Sequence, residues 1–271
     1  RNTMSKQENN LKKDTTEPAQ TKKKPFRFFL IGIVRLIVMF LITMEHTIFH
    51  LISGMIKGFT RRLATLNASK WGKMLKVILG ARLEVIGNIP PEGALLIANH
   101  RSYIDIGLIG SILPSTFLAK AELQSWPVMG YAAKLAKVVF VDRENAESRK
   151  KSRDDIAETL NGGFSIIIFP EGTSYQGPGA LEFKKGPFKI ATEGEFAVVP
   201  VAIEYKDPTD AWVDDDTFIG HFIRAFSKFK IHCTLSIGPV YKDTDPDRLH
   251  KNCWEWVNNE VLRLRNQYDQ A

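Results

Sequence analysis

From residue 80 onward the apolar residues gather into short runs separated by polar stretches. The runs are LEVI from Leu83, ALLIA from Ala94, TFLAK from Thr116, VVFV from Val138, SIIIF from Ser165, VVPVAI from Val198 and IHCTLSI from Ile231. Their length and β-branched content predict strands, and an unbroken run such as SIIIF predicts a strand buried on both faces. Between them, helices are expected near 102–113, 127–136, 146–161 and 185–194. A last helix opens at Asp245-Pro246, with Asp as N-cap and Pro in the first turn. Leu249, Cys253, Val257, Val261 and Leu264 then share one face of it. Alternating strands and helices predict an α/β fold: a mostly parallel, twisted sheet of about seven strands flanked by helices, spanning 61–271. No internal repeat interrupts the pattern.

The chain before residue 61 has a different texture. Phe28 to Met44 reads FFLIGIVRLIVMFLITM, which as a helix would reach about 26 Å, short of a ~30 Å hydrocarbon core. Arg35 sits near its middle and would cost roughly 2.5–3.5 kcal/mol at a bilayer centre. The following stretch keeps Ile48, Leu51, Ile52, Met55, Ile56 and Phe59 at helical spacing with a polar side. Residues 26–60 are therefore expected to form two membrane-associating helices; lying in or dipping into one leaflet fits both stretches, spanning the bilayer stays open, and a pair of buried core helices is the alternative. No small-residue cleavage site follows Met44, which argues against a signal peptide.

Charge sharpens this picture. Residues 1–27 hold eight Lys/Arg against three acidic residues, so five of the net seven positive charges lie there. Residues 1–25 show no apolar period, contain Pro18 and Pro25, and read as a disordered basic tail suited to an anionic membrane surface. The folded part keeps little excess charge, which excludes nucleic acid as the expected partner. The basic flank before the first apolar run places the amino terminus on the cytoplasmic face of the inner membrane. Cys233 and Cys253 have no partner spacing and read as free thiols.

Two strand ends carry candidate chemistry. ALLIANHRSYID delivers His100 and Asp105 five residues apart at the end of a predicted buried strand, where functional groups of open α/β sheets collect. Imidazole is a suitable base near neutral pH, and an adjacent carboxylate fixes its tautomer, so this pair can activate a substrate hydroxyl without a serine. The alternatives are a capping or core histidine and a metal ligand; His221, His232 and His250 form no ligand set with it, so no metal is expected. SIIIFPEGTS ends in a turn of Glu171, Gly172 and Thr173, which can offer backbone N–H groups to an anion, while Glu171 can also serve as a structural acceptor tying down the loop. KVVFVDR places Asp142 and Arg143 at a third strand end.

NHRSYID resembles the His-x-x-x-x-Asp block of the glycerolipid acyltransferase family that includes the bacterial lysophosphatidate acyltransferases. VVFVDR, FPEGTS and VVPVAI resemble its second, third and fourth blocks in the same order, and the resemblance runs from about Trp71 to Val240. TFLAKAEL and FKKG are similar to further family segments. The resemblance implies His100 as general base, Asp105 as its orienting partner, and Arg143, Glu171, Gly172 and Thr173 in acceptor binding. It also implies Lys120 near the acceptor phosphate and Pro200 shaping the acyl or donor site. It implies a fatty acyl thioester of acyl carrier protein or coenzyme A as cosubstrate, a lysophospholipid hydroxyl in a membrane as acceptor, most simply 1-acylglycerol-3-phosphate, and no cofactor. Ser174 stands where the family commonly has arginine, the side chain suited to bidentate phosphate recognition. That departure keeps another lysolipid, such as a lyso-ornithine-type aminolipid, open as acceptor; Asp210 to Phe222, with its acidic run, reads as a solvated loop or as a lining for a basic headgroup. A lipid-binding protein without turnover is the remaining alternative, and it gives no reason to keep His100, Asp105 and Glu171 together.

Overall fold

The computed structural model describes residues 26–213 and 216–270; the basic tail at 1–25 lies outside the described residues. Seven strands form one sheet: β1 (Ala81–Ile86), β2 (Leu95–Ala98), β3 (Ser115–Lys120), β4 (Val139–Val141), β5 (Ser165–Ile168), β6 (Val198–Tyr205) and β7 (Ile231–Ile237), in the order β1-β7-β6-β2-β5-β3-β4. Strands β2 to β6 run parallel, while β7 pairs antiparallel with β6 and carries β1 parallel to itself. Every residue of β2, β5 and β6 is buried, as unbroken apolar runs require when helices cover both faces.

Alternate residues of these strands feed two cores. Leu96, Ala98, Ile167, Val199, Val201 and Ile203 pack with α1 (Phe26–Lys57), α2 (Arg61–Ile78), α3 (Asp105–Ile112) and α7 (Phe218–Ala225). Leu95, Ile97, Ile166, Ile168, Val198 and Ala202 pack with α5 (Ala146–Asn161), α6 (Gly186–Glu193) and α8 (Pro246–Asp269). The short α4 (Met129–Leu135) lies against α1. Asp245 caps α8 through its side chain on the N–H groups of Asp247 and Arg248, and Leu249, Cys253, Val257, Val261 and Leu264 are its buried stripe. Both cysteines are free and buried.

The amino-terminal segment differs from the sequence expectation. It is one 32-residue helix rather than two, because nothing between Met44 and Thr47 breaks a helix; the chain turns at Gly58, with φ +84°, and Thr60 caps α2. Gly32, Met39, Thr43, His50 and Gly54 form the buried stripe of α1. Arg35, expected to burden a bilayer, instead turns inward: its guanidinium donates to the carbonyls of Phe226, Lys228 and Phe229 just past α7. Trp71 Nε1 donates to Thr43 Oγ1 and Asn67 Nδ2 to the His46 carbonyl, fixing α1 on α2. The outer face of α1 stays apolar, with Val34, Ile37, Leu41, Ile48 and Ile52 exposed.

Helix α3 is held in place by α2. A Cβ on Gly72 would stand 2.3 Å from the Gly107 carbonyl oxygen, so the two helices touch backbone to backbone. Gly72→Ala should therefore lower stability by about 1–3 kcal/mol through overpacking. Gly110→Ala, on α3 with open space around the added Cβ, should be neutral or stabilising by up to about 1 kcal/mol. Denaturant titration of both variants checks the contrast.

Candidate active site

The parallel strands β2, β5, β3 and β4 deliver their following loops to one edge of the sheet. Past β2, Asn99 continues the ladder with its side chain, accepting from Ile203 N at 2.8 Å and donating to Ile203 O at 2.9 Å. The chain then turns so sharply that Asp105, first residue of α3, returns to the loop it follows. Its Oδ2 accepts from the N–H groups of Arg101 at 2.7 Å and Ser102 at 2.8 Å, and holds His100 Nδ1 at 2.9 Å. Its Oδ1 accepts the Tyr205 hydroxyl at 2.6 Å. Asp105 is fully buried, and its place in the first turn of α3 suits a negative charge.

Because Asp105 accepts at Nδ1, the proton of neutral His100 sits there and Nε2 keeps its lone pair. Among the described residues no protein group takes Nε2. The ring stacks on Phe169, centroids 4.2 Å apart, and is one-fifth exposed, so one of its faces is apolar and shielded while part of the ring remains open to solvent.

Glu171 is the structural acceptor that its turn position allowed. Its carboxylate receives His100 N at 2.7 Å and Leu181 N at 2.8 Å, joining the loop after β2 to the strap after β5. Burial pushes its pKa up to about 7 against the opposing pull of those two N–H groups and Arg101. Gly172 follows with φ +81°, and its carbonyl accepts Arg143 Nη1 at 2.7 Å. A Cβ there would stand 2.8 Å from Arg143 Nη1 and 2.9 Å from Lys184 Nζ, so glycine lets both cations approach.

The remaining sequence candidates scatter. Thr173 is exposed on the turn. Ser174 spends its hydroxyl on the Trp212 carbonyl, closing the Asp210–Phe222 segment onto the site. Within that segment Asp216 pairs with Arg224 and Asp210 with Lys228, while 214–215 lie outside the described residues. Lys120 ends β3, exposed on the same sheet edge. Pro200 sits mid-strand in β6 beside Gly238 and Trp256 on the α8 side, away from the loops.

Sequence reasoning missed Arg101, Glu204 and Tyr205. The Arg101 guanidinium, one of the most buried groups in the chain, donates to Glu204 through Nε and Nη2, to the carbonyls of Tyr175 and Gly177 through Nη1 and to that of Gly179 through Nη2. Arg265 of α8 takes the other Glu204 oxygen. The available signal was a charged residue closing an otherwise apolar strand, since a buried carboxylate demands a partner.

The family described as Acyltransferase matches residues 82–204. The chain is 36% identical over 159 residues to a lyso-ornithine lipid O-acyltransferase of Pseudomonas aeruginosa, covering 57% of this chain and 61% of that protein. It is 36% identical over 140 residues to a 1-acyl-sn-glycerol-3-phosphate acyltransferase of Neisseria gonorrhoeae, covering 51% and 55%. With a lyso-ornithine lipid O-acyltransferase of Rhizobium meliloti the identity is 30% over 216 residues, covering 73% and 71%. The chain spans less than two thirds of the length of the first two. The crystal structure of a 1-acyl-sn-glycerophosphate acyltransferase from Thermotoga maritima shares the fold, with a TM-score of 0.69 at 22% identity over 89% of this chain and 98% of that one.

The Glu171 carboxyl makes stability depend on pH. With a folded pKa of about 7 against an ordinary 4.5, the folded chain keeps this proton where the unfolded chain releases it. Stability therefore falls as pH rises from about 4.5 to about 7, by roughly 3 kcal/mol at most. Glu171→Gln cannot titrate; the melting temperature of the wild type relative to this variant should fall across that window and level off above it.

Proposed function

This chain belongs to the acyltransferase family, and we propose that it moves a fatty acyl group from a thioester to the free hydroxyl of a lysophospholipid. The observation that carries the reading is His100, held by Asp105 at Nδ1 with no protein group on Nε2 among the described residues. In this reading Nε2 takes the hydroxyl proton as the oxygen attacks the thioester carbonyl. The N–H groups of Thr173 and Ser174, which find no protein acceptor among the described residues, are suited to receive the oxyanion. Collapse of the tetrahedral intermediate expels the thiolate, which takes the proton back from His100. The leaving thiol belongs to coenzyme A or acyl carrier protein.

Charge selects the acceptor. The acidic residues described around the segment after β6 are engaged by the protein's own cations, Asp207 and Asp210 by Lys228 and Asp216 by Arg224. On the opposite side Lys120, Arg143 and Lys184 face the sheet edge, and neither lysine pairs with a carboxylate among the described residues. Such a balance favours a phosphate headgroup, and so lysophosphatidate giving phosphatidate. The second reading, O-acylation of a lyso-ornithine lipid, draws support from Ser174 in the arginine position and from the names of two relatives.

The membrane enters through α1. Its inner stripe is committed to the protein and its outer face is a continuous apolar patch too large for water, which suits a helix lying in one leaflet with the sheet edge at the headgroups. The cytoplasmic leaflet is the side that the basic tail favours.

Purified protein supplied with acyl-coenzyme A or acyl carrier protein thioesters should acylate lysophosphatidate faster than lyso-ornithine lipid or 1-acylglycerol. His100→Ala should lose roughly 10²- to 10⁴-fold while keeping its melting transition; a variant with near-normal turnover removes the dyad from the mechanism. Lys120→Ala should raise KM for lysophosphatidate by roughly tenfold to a hundredfold and barely change that for lyso-ornithine lipid. Equal small effects on both would place headgroup recognition elsewhere.

A further inference from the structure

Tyr205 ends β6 with its side chain 1% exposed, and its hydroxyl donates to Asp105 Oδ1 at 2.6 Å. The other carboxylate oxygen holds His100 Nδ1 and the N–H groups of Arg101 and Ser102. The phenol is thus the side-chain donor on the far side of the carboxylate from the imidazole. Its neighbour Glu204 points to the opposite face of the sheet, where it holds Arg101 and Arg265.

We propose that Tyr205 is a positioning residue for acyl transfer: it fixes the rotation of the Asp105 carboxylate and sets how tightly that carboxylate holds the His100 ring. The proposal rests on His100 acting as the base. A carboxylate buried this deeply cannot turn to water for a fourth donor, so without the phenol Oδ1 is left unsatisfied and the plane that aligns Oδ2 with Nδ1 loses its outer anchor. Tyr205 itself stays a neutral donor, because burial and the adjacent Asp105 push its pKa far above the ordinary phenol value. The surrounding ionisable groups leave that role to it. Cys233 on β7 is kept protonated by burial, Asp210 after β6 is engaged by Lys228, and Lys76 of α2 acts on Cys233. Glu171 accepts the His100 backbone N–H and also acts on the His100 ring through space, a charge common to the wild-type and Tyr205-substituted proteins, and the Arg101 guanidinium is turned to Glu204.

The sign of the effect follows from charge. A hydrogen-bond donor withdraws negative charge from Asp105; removing it makes the carboxylate a stronger partner for imidazolium. Tyr205→Phe, which keeps the ring, should move the acid limb of kcat/KM for lysophosphatidate to higher pH and lower the plateau kcat by roughly tenfold, leaving both KM values within about twofold. Replacing Tyr205 alone by 3-fluorotyrosine keeps the hydroxyl and makes it a better donor, so the limb should move to lower pH. In a His100→Ala background Tyr205→Phe should leave the residual rate unchanged. If Tyr205→Phe fails to fold, the fluorotyrosine protein decides the matter. An unmoved limb in that protein, or a Tyr205→Phe rate loss without a shift, overturns the proposal while leaving acyl transfer intact. A wild-type protein that turns over none of the lysolipids overturns the acyl-transfer reading and this one with it.

Discussion

The carboxylate of Asp105 is buried with no access to water, and the site is organised around satisfying it. A charge removed from water at such a place costs several kcal/mol unless donors replace the hydration shell. Here four do so: two backbone N–H groups of its own loop, the His100 ring and the Tyr205 phenol. Each donor brings a different element to the same point, β2 through the loop at residues 100–102, α3 through Asp105 itself and β6 through Tyr205. The close contact of Gly72 with Gly107 then ties α3 to α2, so the position of Asp105 and of the His100 ring it holds is set by backbone packing some distance from them.

A second buried charge pair works on the other face of the sheet. Arg101 satisfies Glu204 and gathers three carbonyls of the segment at 175–179, so the strap that follows Glu171 cannot drift from the loop that carries His100. Glu171 joins the same two loops through backbone N–H groups. The chemistry thus needs few exposed residues, and most of the polar groups near it are spent on holding backbone.

The fold was legible because its signals are local. All seven apolar runs became strands, and the SIIIF and VVPVAI runs read as buried on both faces because helices do cover both. Helix α7 starts inside the Asp210–Phe222 segment read as a loop or headgroup lining, where the acidic run drew attention from its Thr217 cap and its one-sided Phe222 and Ala225. The use of Arg35 was not legible because its partners, three carbonyls near 226–229, are remote in sequence. The spacing of His100 and Asp105 at a strand end marked them as candidates, and the family resemblance singled them out from a capping or metal-binding histidine; five residues allow a tight loop to return to a helix start. Arg101, Glu204 and Tyr205 were not, because burial turns an ordinary polar residue into a structural one and single-residue chemistry does not announce burial. Ser174 was visible as a departure, but its use, bonding the Trp212 carbonyl, depends on a loop folded back from beyond β6.

One arrangement carries the proposed mechanism: Asp105 fixing the proton of neutral His100 on Nδ1, which leaves on Nε2 the lone pair a base needs. Nitrogen-15 NMR of histidine-labelled protein, with His100 assigned from the His100→Ala spectrum, reports which ring nitrogen carries the proton at a pH where the ring is neutral. A protonated Nδ1 and an unprotonated Nε2, with that preference lost in Asp105→Asn, is the predicted result. A proton on Nε2 in the wild-type protein would contradict the account.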